Sequence, residues 1–92
     1  MTHLTDDMLR ACFTDLPQPF DSHAVIREAM RRFPQEYVRE LYENVGQRDP
    51  IQFTHALFGK ALAAHPALQK DTREPSMNVR GSDTDNQVWR RQ

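Results

Sequence analysis

At 92 residues the chain can hold one hydrophobic core but hardly two, which points to a single domain. Twelve Lys and Arg stand against thirteen Asp and Glu, a formal charge of -1, so a surface for nucleic acid cannot come from a general basic excess and has to be local. The hydrophobic share of 38% is below the globular norm while the charged share of 27% is near it, which implies a polar segment without a core of its own.

Cys12 is the only cysteine, so no internal disulfide is expected, and a reducing, cytoplasmic setting follows from that. The first residues carry Asp6 and Asp7 in place of a cationic start and apolar run, and no stretch is apolar enough to span a bilayer. The expected partners therefore do not include a membrane.

In chain order, Thr5 with Asp6 and Asp7 marks a helix start, because a hydroxyl can cap free amides while carboxylates face the positive end of the helix dipole. Leu4, Met8, Cys12 and Leu9, Phe13, Leu16 then form one apolar stripe, predicting a helix over 4 to 16 that stops before Pro17 and Pro19. Asp21 caps the next helix, with Phe20 placed to clasp Val25 across the cap. Val25, Ile26, Ala29, Met30 and Phe33 share one face of this helix, predicted over 22 to 33.

Pro34 disfavours helical angles at Phe33 and suits a first turn, so a third helix is expected over 34 to 45, with Tyr37, Val38, Leu41, Tyr42 and Val45 as its apolar set. Gly46 ends it, and Asp49-Pro50 opens a fourth over 50 to 64. The wide apolar side of Ile51, Phe53, Leu57, Phe58, Ala61 and Leu62 predicts that this fourth helix is central and the most buried.

Beyond Pro66 the character changes. From Lys70 to Gln87 only Met77 and Val79 are large and apolar, among Pro75, Gly81 and short polar side chains. The expected fold is therefore all-α: a bundle of about four helices in a domain spanning 1 to 69, followed by an irregular polar tail, 70 to 92, in which Ser82 to Arg91 could form a short terminal helix.

Nothing in the pattern specifies catalysis, a cofactor or a metal. His3, His23, His55 and His65 lack the spacing that presents two imidazoles to one ion, and Cys12 sits on an apolar stripe as a small core residue would. Asp83, Asp85 and Asn86 begin like a calcium loop, but Val88 occupies the place where such loops need glycine. Glu28, Glu36, Glu40 and Glu43 fall mainly on polar helix faces. The aromatic residues Tyr37, Tyr42, Phe53 and Phe58 fall at core spacing.

Two surfaces remain as candidates for binding. Trp89, the only tryptophan, sits in the polar tail and is followed by Arg90 and Arg91, a combination suited to anchoring a protein partner or a second copy of the chain. Arg27, Arg31 and Arg32 concentrate positive charge on one helix and could grip phosphates. The expectation is a non-enzymatic protein-interaction module, an adaptor or regulator, with a small nucleic-acid-binding regulatory protein as the alternative. Homodimerisation would also enlarge a small core.

Overall fold

The helix starts foreseen at Thr5, Asp21 and Asp49 are present in the computed structural model, which describes residues 1–92. The Thr5 hydroxyl accepts from the Met8 amide at 3.2 Å and opens α1, Asp6–Phe13. Asp21 accepts from Ala24 at 2.9 Å and opens α2, Ser22–Arg32, and Asp49 accepts from Gln52 at 3.2 Å and opens α4, Pro50–Ala63. Between them α3, Pro34–Glu43, has no side-chain cap and begins at the proline that breaks the chain after Phe33.

The all-α expectation is wrong. A two-residue strand, β1 (Phe20–Asp21), and a long hairpin, β2 (Leu68–Met77) and β3 (Asp83–Arg91), make a three-stranded antiparallel sheet in the order β1-β3-β2. The protein is mixed α/β and not a helical bundle, and the segment read as an irregular tail is two of its three strands. Ser82 to Arg91 is extended and not helical: Asp83 and Asp85, which resemble helix-start acids, pair across the ladder with Met77 and Pro75. Pro75 is tolerated because β2 is an edge strand, where a missing N–H leaves no ladder bond broken on the far side.

The reason lies in how a ribbon meets its backbone needs. Ladder hydrogen bonds satisfy the N–H and C=O groups whatever the side chains are, so a hairpin solvated on both faces needs few apolar residues. Only its root is buried, through Leu68, Val88 and Trp89 together with the polar Asn86. Its turn is built by Asn78, whose carboxamide oxygen accepts from the Arg80 and Ser82 amides at 2.9 and 3.1 Å, and by Gly81, which adopts a positive φ of 83° that other residues resist. Where the ladder shifts between Lys70 and Arg73, the carbonyls of Asp71 and Thr72 accept from the Gln87 side chain at 3.0 and 3.1 Å.

Trp89 is central to this arrangement. It lies opposite Phe20 on one side and Lys70 on the other, is 2% exposed, and donates from its indole nitrogen to the Ser22 hydroxyl at 2.9 Å. One core joins it to Leu9, Cys12 and Phe13 of α1, Val25, Ile26 and Ala29 of α2, and Phe58 and Leu62 of α4. Phe20 stacks on Phe13 with ring centroids 5.8 Å apart. α4 is less enclosed than its apolar width suggests, for Phe58 and Leu62 are buried while Phe53 is 40% exposed.

Glu40 of α3 is the buried acid of this core, 2% exposed. Burial alone would raise its proton affinity, but the backbone N–H groups of Leu4, His3 and Thr2, at 2.9, 3.0 and 3.2 Å, hold its carboxyl below the usual range. The same three bonds tie the N-terminal segment to α3. Cys12 is buried and unpaired, and burial pushes its thiol up to about 11. No helix is long and apolar enough to cross a membrane.

Candidate functional site

α4 and the β2–β3 hairpin stand side by side and enclose a cleft of about 710 Å³, with Ser22 and His23 of α2 also lining it. On the helical wall Ile51, Gln52, His55, Ala56, Gly59, Lys60 and Ala63 recur at helical spacing, with the small Ala56, Gly59 and Ala63 set among longer side chains. A side chain at Gly59 would meet nothing within 4 Å, so this glycine leaves room open to a ligand and serves no tight internal contact. The hairpin wall supplies Lys70, Arg73, Arg80, Thr84, Asp85 and Gln87. A second hollow of about 790 Å³, lined by Arg48, Asp49 and Phe53 among others, shares Gln52, Ala56 and Arg80 with the first, so the two form one trough along α4.

Hydrogen bonds fix the two walls relative to each other. At the hairpin tip Arg80 grips Asp49 through two bonds of 2.6 and 2.8 Å, joining the turn to the residue that caps α4. This bridge and the Gln52 amide hold the Asp49 carboxyl below its ordinary range. Nearer the root, His23 Nδ1 is 2.7 Å from the Ser76 hydroxyl and Nε2 is 3.4 Å from the Thr84 hydroxyl. The Asn86 carboxamide donates to Ser76 at 3.1 Å and to the Glu74 carbonyl at 3.0 Å, while its oxygen accepts from the His23 amide at 3.3 Å. A His–Ser pair invites a catalytic reading, but the far nitrogen of His23 faces a hydroxyl where a general base needs an orienting carboxylate. These bonds span α2 and both strands, and their evident effect is to pin the hairpin to the helices.

His55 lies deeper on the α4 wall. Burial, with His23 and Arg80 nearby, lowers its pKa to about 4 and keeps the ring neutral at neutral pH. The Tyr37 hydroxyl is 2.6 Å from Nε2, and burial raises the tyrosine above its ordinary value. Either neutral tautomer makes this bond, the phenol donating to a bare Nε2 or accepting from Nε2–H.

The trough is where unneutralised positive charge collects. Lys60, Lys70 and Arg73 line it without a carboxylate partner, Arg80 is held by Asp49, and Arg48 adjoins. Asp85 is the single carboxylate on the cleft's lining. The residues singled out from the sequence are placed otherwise. Trp89 is inside the core. Arg90 pairs with Asp71 at 2.7 Å, and Arg91 donates to the Phe13 and Leu16 carbonyls at 2.9 and 2.8 Å. On α2, Arg31 and Arg32 both bind Glu28, at 2.7 and 2.8 Å, and Arg27 reaches the Met77 carbonyl at 3.4 Å.

Sequence reasoning missed the trough because its cations are scattered between positions 48 and 80 and converge only when the hairpin folds beside α4. The turn signal Asn78 to Gly81, between two polar stretches, was the one local sign that a hairpin was there. No family model matches the chain, and neither the curated proteins nor the solved structures gave a match.

Proposed function

We propose that this chain is a small nucleic-acid-binding regulatory protein that works through the trough between α4 and the β2–β3 hairpin, without catalysis. The observation that carries the reading is the convergence there of Lys60, Lys70 and Arg73, all free of ion pairs, against two lining carboxylates, Asp85 and the Asp49 already held by Arg80. A net charge of -1 does not oppose it, since the acids lie largely elsewhere and phosphate contacts depend on local field. An α-helix and a two-stranded ribbon are also the two elements that fit a nucleic-acid groove. A cytoplasmic setting is part of the proposal and rests on the single buried free thiol.

The test is fluorescence anisotropy with labelled duplexes and single strands of about 20 nucleotides at roughly 50 to 200 mM salt. Binding in the micromolar range is expected, with a logarithmic salt slope of about -3 for three to four phosphate contacts. The triple substitution Lys60→Gln, Lys70→Gln, Arg73→Gln should abolish it and leave the circular dichroism spectrum unchanged. No binding at the lowest salt, or binding that survives the triple substitution, rejects the proposal.

A second reading, the protein-interaction module, is favoured by a different observation. Val38 and Tyr42 of α3, and Val45 just after it, are 59%, 75% and 65% exposed, an apolar face of the kind that contacts another protein.

A further inference from the structure

Small domains usually hide an apolar helix face, yet α3 buries only Tyr37 and Glu40. Val38 and Tyr42 are one turn apart on its outer side, and Val45 follows in the turn that ends the helix. At 1.5 Å of rise per residue Val38 lies about 6 Å before Tyr42 along the axis, and Val45, past the helix end in the closing turn, follows on the C-terminal side of that tyrosine. Arg39 and Glu43, also one turn apart, occupy one common flank of the face. Arg39 has no ion-pair partner, and Glu43 has only the His3 ring at 3.1 Å.

We infer that a second copy of this chain covers this face, forming a two-fold dimer in which α3 packs antiparallel against α3. A two-fold axis near Tyr42, perpendicular to both helices, brings Val38 of each copy beside Val45 of the other. It keeps the charged flanks on the same side, so Arg39 of each copy faces Glu43 of its partner, twice over. A parallel pairing, about an axis running along the helices, would instead put the two charged flanks on opposite sides of the seam, where Arg39 of one copy does not meet Glu43 of the other. The self-complementary order of apolar and charged groups is what an isologous interface requires, and it is why the occupant is a second copy and not an unrelated partner. The face is small, which makes the dimer a reversible one of micromolar strength. No α3 residue lines the trough, so the inference stands apart from the function proposed above.

Sedimentation equilibrium of the full chain, from about ten micromolar to about one millimolar, reads the association directly. A concentration-dependent dimer is expected. Tyr42→Glu should weaken it at least tenfold while the far-ultraviolet spectrum stays unchanged, since this side chain is three-quarters exposed. Arg39→Glu alone should weaken it, and the exchange Arg39→Glu with Glu43→Arg should restore most of the loss, because the two charges trade places across the axis. A chain that stays monomeric throughout, a dimer indifferent to Tyr42→Glu, or an exchange variant no better than Arg39→Glu would each overturn the antiparallel α3 dimer.

Discussion

The root and the tip of the β2–β3 hairpin are parts of one ribbon held by opposite means. At the root, Leu68 and Trp89 enter the common core, Val88 is buried beside them, and β3 is clasped on both sides by β1 and β2. At the tip, Asn78 to Ser82 touches the helices through the exposed Arg80–Asp49 bridge. The root is therefore tied to global stability by desolvation, whereas the tip is placed by a solvated ion pair that water and salt can replace. The contrast shows how a polar segment can be integral to a fold while most of its length stays wet.

The largest effect is expected at the root. Trp89→Ala removes the largest fully buried side chain and leaves the Ser22 hydroxyl without its donor, a loss of about 3–5 kcal/mol. Urea denaturation followed by circular dichroism should show the whole chain destabilised in one transition. If the helices kept their stability while only the hairpin melted, root and helices would be separate units.

A smaller, pH-dependent effect is expected between the walls at His55. Its folded pKa of about 4 lies below the ordinary 6.5, so the unfolded chain takes up the proton first. Stability should then be intact above the unfolded value and fall as pH drops through about 6.5 towards 4, by at most about 3 kcal/mol. His23, lowered chiefly by burial, adds in the same direction. His55→Gln keeps a hydrogen-bond partner for the Tyr37 hydroxyl and should flatten this part of the profile, read as urea midpoints against pH for both proteins. Equal slopes in the two would mean that the ring is solvated.

The smallest effect is expected at the tip. Arg80→Ala breaks the exposed bridge and should leave the melting temperature nearly unchanged while amide exchange quickens at the hairpin turn. A marked fall in melting temperature would show that the tip, too, is built into the core.

What could be read in the chain was whatever neighbours in sequence decide. Thr5, Asp21 and Asp49 cap helices within three residues of themselves, and Pro34 breaks the chain where it stands. The apolar spacing of Val25, Ile26 and Ala29 fixes which side of α2 is covered. Helix ends and helix faces are local properties, so composition and period suffice for them.

The sheet, the trough and the surroundings of Trp89 were decided by tertiary structure alone. The indole's hydrogen bond reaches Ser22 across 67 positions, and β1 is two residues that carry no strand signal until β3 lies beside them. The hairpin read as a tail because side chains announce a strand only where one face is buried, and here the backbone ladder makes most of the strand. The cations of the trough followed the same rule: between Arg48 and Arg80 no local pattern joins them, and only the hairpin folding back beside α4 sets them around one space.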